Sequence, residues 1–333
     1  MKTIPIADIR GFSIGQVEDV QAAMGVTAIV CPEGMAAGLD VRGGGPASRD
    51  TRVLDPLAAA ERIHAVLLSG GSAYGLDAAG GAMRYLSEHG IGIGIGDVVV
   101  PLVCQSDIFD LLIGKVGSYP DASMGYAACA AAEQGNYRDG NYGGGCGATV
   151  GKLLGGDFCM KTGIGSYAVQ VGELQVGALV VVNALGDVVD PATGQTVAGM
   201  LNGDRTGFRD SAETLYAIYE SQTAPASDTG TTLVANTTIG AVMTNAKLQK
   251  AQLCKVAGMA HDGMARAIRP VHTSMDGDSI YALSAGDVSA EPDVVGTLAA
   301  EVFAQAILVA ARAAAPAYGL PSAQSLGDAA AYN

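Results

Sequence analysis

The chain has 333 residues, enough for one large domain or two of ordinary size. Hydrophobic residues make up 49% and charged residues 16%, with 47 glycines and no tryptophan, which describes a compact Ala/Gly/Val-rich globule and excludes a disordered chain. A formal charge of -14, without any Lys/Arg run to reverse it locally, would repel a phosphate backbone and argues against nucleic acid as a partner.

The first residues, MKTIPIADIRGFSIG, lack a continuous apolar core and carry Asp8 and Arg10 where a signal peptide would place one, so a cytoplasmic location is expected. Aliphatic runs at Val26 to Val30 and His64 to Leu68 are strand candidates. GGSAYG, Gly70 to Gly75, is not a nucleophile elbow, because Tyr74 occupies the place of the second glycine; Ser72 and Tyr74 are therefore expected to be structural or pocket-lining. A helix is expected over Ala73 to Ser87. The repeat GIGIGIGD from Gly90 fails the dinucleotide fingerprint, since Ile95, Asp97 and Val99 stand at the third-glycine positions.

A further strand is expected at Val98 to Val103 and a helix at Met124 to Gln134. GGGCGATVGK, Gly143 to Lys152, is not a phosphate loop: Cys146 replaces the first glycine and Leu153 the magnesium-binding hydroxyl. Strands follow at Ala168 to Val171 and Ala178 to Val182, then a helix at Ser211 to Ser221. Gln222 to Thr232, QTAPASDTGTT, is small and polar and is the best linker candidate. It runs almost directly into the β-branched strand Thr237 to Thr244. The long helix Leu248 to Ile268 keeps Leu253, Val256, Ala257, Ala260, Met264 and Ile268 at helical spacing, and Pro270 follows its end. Asp276-Gly277-Asp278 precedes a strand at Ser279 to Ser284. Val294 to Ala311 is interrupted by Glu301 and Gln305 and is expected to be a buried helix and not a membrane span.

Six scattered cysteines show no C-x-x-C and no Cys/His pair at zinc spacing, so buried thiols are expected, with no metal or other cofactor. Of the four histidines, His64 falls in a strand run, His89 beside a turn glycine, His261 on a helix and His272 in a loop; no segment assembles a Ser-His-Asp triad.

The remaining chemistry lies at two strand entrances, Asn236-Thr237 and Asp276-Gly277-Asp278. A threonine hydroxyl is a weak nucleophile until a base takes its proton, and a threonine at a chain terminus carries that base as its own α-amine. The amine ordinarily titrates at about 7.7 to 8.0, within reach of neutral pH. Two nearby carboxylates would orient hydroxyl and amine and stabilise the protonated amine, while raising its pKa. The same Asp-Gly-Asp can also be a plain tight turn.

The segments VRGGGP (Val41 to Pro46), LLSGGSAYGLDAA (Leu67 to Ala79), IFDL (Ile108 to Leu111), GCGATVGK (Gly145 to Lys152), NTTIGAVMTNAKL (Asn236 to Leu248) and HTSMDGDSIYALS (His272 to Ser284) resemble the P1 family of peptidases. That family comprises L-aminopeptidase/D-esterases, β-peptidyl aminopeptidases and 6-aminohexanoate-oligomer hydrolases. The resemblance runs in order from about residue 6 to about residue 312. It implies an α+β, four-layer αββα sandwich similar to the Ntn hydrolases with different connectivity. It also implies autocleavage into an α chain, residues 1–236, and a β chain, residues 237–333, together one domain in a homotetramer. Carried over residue by residue, Thr237 matches the nucleophile, Asp276 and Asp278 the orienting pair, Asn183 an oxyanion-stabilising asparagine, and Lys152 a lysine of the processing and catalytic site. At Phe109 some members have a tyrosine whose hydroxyl points at the site, so backbone N–H groups would have to compensate here. The expected substrate is a small peptide, amide or ester, with an acyltransferase of a related self-cleaving fold or an unprocessed ligand-binding shell as alternatives.

Overall fold

One strand of 18 residues, Met24–Val41, belongs to both halves of the molecule. The computed structural model describes residues 1–221 and 236–330, and the linker candidate at Gln222 to Thr232 lies outside them. Among the described residues, ten strands form the main sheet system: β1 Lys2–Ile4, β2 Ser13–Asp19, β3 Met24–Val41, β4 Ala47–Arg49, β5 Ile63–Ser69, β6 Val103–Asp107, β7 Ile164–Val171, β8 Leu174–Val181, β9 Ile239–Ala246 and β10 Ser279–Val288. The first part of β3 pairs with β2 and β5, whereas its last part pairs antiparallel with β10, Leu39 opposite Tyr281. Between them the register slips from Val30 to Met35, around Pro32 and Gly34, and this irregularity divides one sheet into two.

The sheets are covered by α1 Ala78–Glu88 and α2 Ala122–Ala132 on one side and by α4 Lys250–Ala267 and α5 Pro292–Ala313 on the other; α3 is Ser211–Ser221. Three apolar layers result. Ile29, Val66, Leu68, Leu179, Val181, Ile239, Met243, Tyr281 and Leu283 fill the space between the sheets. Val176, Val180, Val242, Ile280 and Ala282 point the other way, against Leu253, Val256, Phe303 and Ile307 of α4 and α5. Val26, Ala28, Ala65 and Leu67 do the same against α1 and α2. Alternate residues of single strands thus feed different layers, as a period of two requires. The architecture is the expected αββα sandwich.

Helix starts follow their caps. The Asp121 carboxylate accepts the N–H groups of Ser123 and Met124 at the head of α2, and Gln249 and Gln252 form a reciprocal capping box on α4. Two expected elements differ. Val98 to Val103 is not one strand: Val98–Val100 forms a small hairpin with Ile93–Ile95, and the sheet strand begins only after Pro101, which lacks a ladder donor. The helix expected from Ala73 is an isolated turn, Ser72–Gly75, followed by α1. Five cysteines are buried and Cys254 is partly exposed.

Candidate active site

The strands β9 and β10 run parallel, Ile239 beside Ser279, so the residues preceding each arrive at the same end of the sheet. Asn236 bridges Asp276 in the same parallel sense. The Asn236 N–H donates to Met275 O at 2.9 Å, the Gly277 N–H to Asn236 O at 2.7 Å, and the Ser279 N–H to Thr238 O at 3.2 Å. The two stretches NTT and DGD are therefore zipped together by backbone bonds before any side chain is considered. A methyl group on Gly277 would stand 2.7 Å from Thr237 Oγ1, closer than van der Waals contact allows, so only glycine fits against that hydroxyl. Gly43 of the VRGGGP segment is pressed against the same loop; a Cβ there would lie 2.3 Å from Asp278 N.

Each acidic side chain holds one flank. Asp278 Oδ1 accepts the Thr238 N–H at 2.8 Å, and its Oδ2 accepts His272 N–H at 3.2 Å and lies 2.8 Å from His272 Nδ1. Asp276 Oδ2 accepts the N–H and hydroxyl of Thr273 at 2.8 and 2.6 Å, and its Oδ1 accepts Leu185 N–H at 3.4 Å. Burial raises the Asp276 carboxyl above the usual range, and Asp278 beside it adds to the rise.

Asn183 lies just beyond the end of β8, the strand beside β9. Its backbone O accepts the Thr237 N–H at 2.9 Å and the Lys152 ammonium at 3.0 Å. Its side-chain Oδ1 accepts Lys152 Nζ at 2.8 Å and Thr149 N–H at 3.1 Å, while Nδ2 donates to Phe109 O at 3.1 Å. Phe109 thus contributes a backbone carbonyl, and the Asn183 amide is engaged with it; the N–H that reaches the Asn236 carbonyl is that of Gly277. Burial pulls Lys152 down to about 8, against the opposing pull of Cys159, Asp276, Asp110 and Asp278. Thr237, Asn236, Asp276, Asp278, Asn183 and Lys152 are all buried.

Ser72 and Tyr74 have other partners. Ser72 N–H donates to Ile108 O at 2.9 Å, and Tyr74 is exposed and stacked on Tyr119. Among the described residues no hydrogen bond joins either to Thr237.

Sequence reasoning passed over three features. His272 reads as an isolated loop residue, although it stands six positions before Asp278. His261 reads as one more residue of an amphipathic helix. Asp110, within IFDL, is wholly buried, and burial pushes its carboxyl up to about 7 even though the Gly71 N–H and Lys152 favour the ion. Among the described residues no group of His, Cys, Asp or Glu could hold a metal ion.

A hydroxyl and two acids thus meet at two parallel strand entrances of an αββα sandwich, with the buried Lys152 joined to them through Asn183. The chain belongs to peptidase family S58, whose model matches residues 5–324. It is 38% identical to a Mycobacterium tuberculosis protein described as an uncharacterized aminopeptidase, over 95% of this chain and 96% of that one. It is 30% identical to the 6-aminohexanoate-oligomer endohydrolase of Paenarthrobacter ureafaciens, over 92% of this chain and 85% of the relative. In three dimensions it is similar to a Burkholderia β-aminopeptidase, with a TM-score of 0.67 at 20% identity, covering 97% of this chain and 92% of that one. The L-aminopeptidase D-Ala-esterase/amidase of Ochrobactrum anthropi, described as a variant of the Ntn hydrolase fold, superposes with a TM-score of 0.64 at 18% identity, covering 93% and 86%. The protein is an aminopeptidase-type hydrolase of peptide or amide bonds.

Proposed function

We propose that the chain cuts itself between Asn236 and Thr237 and then hydrolyses small peptides, amides or esters through an acyl-enzyme on Thr237. The observation that carries this reading is the state of the Asn236 carbonyl. Its oxygen accepts the Gly277 N–H at 2.7 Å and also the Thr237 hydroxyl, so the bond's carbonyl is polarised with a nucleophile in contact. In the uncut chain the Thr237 nitrogen is a peptide N–H. Oγ1 attacks the Asn236 carbonyl carbon as its proton passes to the amine form of Lys152, which then carries that proton to the departing nitrogen, and the tetrahedral oxyanion between is held by the Gly277 N–H. The C–N bond breaks, the nitrogen takes a proton to become an amine, and water hydrolyses the resulting ester. Lys152, on the same Asn183 carbonyl as the departing nitrogen, is the proton source within reach.

The freed α-amine then takes the Oγ1 proton as a substrate carbonyl is attacked, and water releases the acyl group. The substrate acyl group would occupy the place of the Asn236 acyl group, so Gly277 N–H serves both reactions. Asn183 can join as a second donor once its amide leaves Phe109 O. Asp276 and Asp278 hold the loop that carries Gly277 and orient Thr237 and Thr238.

The test is direct. Purified protein should run as two pieces, roughly 24 and 10 kDa if its 33.4 kDa is shared by residue count, and the smaller should begin Thr-Thr-Ile-Gly-Ala. One uncut, active chain would refute the reading. Substrate class follows from rates on aminoacyl p-nitroanilides, β-alanyl amides and 6-aminohexanoate dimer, and added amine acceptors would expose acyl transfer. A homotetramer of cut units in the cytoplasm completes the proposal, to be checked by sedimentation and fractionation.

A further inference from the structure

Behind Asp278 a chain of polar contacts leads away from the site. His272 Nδ1 lies 2.8 Å from Asp278 Oδ2, His272 Nε2 lies 3.2 Å from His261 Nδ1, and His261 Nε2 lies 3.1 Å from the backbone O of Asp40. The rings meet edge to face, with centroids 4.7 Å apart. The His261 side chain is fully buried and that of His272 is 16% exposed, so water does little to satisfy either ring.

The chain of contacts can be counted in hydrogens. Both ends are acceptors, a carboxylate oxygen and a peptide carbonyl. Three contacts need three hydrogens, and two neutral imidazoles supply only two. With both rings neutral, one contact must oppose two lone pairs in a buried place, which is costly. We propose that the His272–His261 pair holds one extra proton, carried on His272, and that this imidazolium positions Asp278 and balances its charge at the Thr237 site.

The placement of the proton follows from the neighbours. Asp278 already accepts the Thr238 N–H on Oδ1 and the His272 N–H on Oδ2, bonds that favour its ionised form, so the extra hydrogen is placed on the ring. Burial pushes His261 down to about 4, with the charge of His272 also opposing its protonation. His261 is then the neutral ring, donating Nε2–H to Asp40 O and accepting at Nδ1 from His272 Nε2–H. The charged groups facing the pair are Asp278, with Asp276 beyond it, and Asp40 and Arg42 at the end of β3. Arg42 Nε lies 3.1 Å from Asp40 Oδ1, and His261 Nε2 lies 3.5 Å from the same oxygen.

The backbone bears a cost that fits this role. His272 has φ 57°, the left-handed region that a residue with a Cβ seldom enters. That conformation aims its N–H and its Nδ1–H at one oxygen, Asp278 Oδ2.

The proposal rests on the Thr237 reading only for its consequence, and the two can be tested apart. The variant is His272→Asn, because asparagine tolerates a left-handed backbone and keeps a short donor for Asp278 but cannot be charged. In the cut enzyme the loss of one positive charge should raise the α-amine's pKa, so the acid limb of kcat/KM should move up by about one pH unit. A lower rate with the limb unmoved would mean a merely structural histidine and overturn the proposal. Nitrogen-15 NMR of labelled histidines, only four in the chain, should show both His272 ring nitrogens protonated at pH 7, in uncut Thr237→Ala protein too. A neutral His272 ring there would overturn it whether or not Thr237 is the nucleophile.

Discussion

Replacing Lys152 with methionine should separate what this residue does for the reaction from what it does to the fold. Burial lowers its ammonium from the ordinary 10.5 to about 8. That depression, about 2.5 units at about 1.4 kcal/mol each, opposes folding by roughly 3 kcal/mol. Because the folded value lies below the unfolded one, the penalty is complete below about pH 8, where both states hold the proton. It fades as pH rises from about 8 to 10.5. Methionine has similar reach and no charge, and it leaves no acceptor orphaned: Asn183 O keeps the Thr237 N–H and Asn183 Oδ1 keeps the Thr149 N–H. Urea unfolding of Lys152→Met in a Thr237→Ala background, so that every species is uncut, should show equal or greater stability than its parent at pH 7. The advantage should vanish by about pH 10.5. With Thr237 intact, self-cleavage should slow about a hundredfold, the scale of a lost proton donor. A variant that loses more than about 2 kcal/mol at pH 7, or that cuts itself at the parental rate, would refute the reasoning.

Thr237→Ala removes the hydroxyl for both steps and should give one folded, inactive chain on a denaturing gel, whereas Thr237→Ser should keep part of both activities. Gly277→Ala forces a methyl within 2.7 Å of Thr237 Oγ1 and of Gly45 O; mass spectrometry should find the chain mostly uncut while circular dichroism stays native. Asp276→Asn keeps one oxygen for the Thr273 N–H and hydroxyl but turns an amide NH2 toward the Leu185 N–H, so kcat should fall more than KM changes while circular dichroism stays native. An Asp276→Asn enzyme of normal kcat would remove this carboxylate from the site.

How much of this was legible beforehand depended on range. Strands buried on both faces announce themselves as apolar runs whichever layer each residue feeds, although the run expected over Thr237 to Thr244 forms a strand only from Ile239 to Ala246, because the two threonines before it belong to the site. The helix containing Leu253, Val256 and Ala260 shows its buried stripe by spacing alone. At Val294 to Ala311 the outcome was as expected but for a different reason: α5 is long and apolar enough to cross a membrane, and 67% of that window is buried inside the fold. Glu301 is exposed and Gln305 half-buried, so they mark the outer side of a core helix and do not break an apolar one. What no local pattern reveals is adjacency. That Asn236-Thr237 and Asp276-Gly277-Asp278 form one site follows from β9 and β10 being parallel and in register, a pairing across some 40 residues; before the structure, only resemblance joined them. His261 and His272 show the same limit more sharply. Each alone is an ordinary histidine, one on a helix and one in a loop, and their chemistry exists only because a left-handed residue turns one ring between Asp278 and the other. Turn residues and strand entrances can be read from sequence, but the proton count at a site requires knowing which acceptors face which rings.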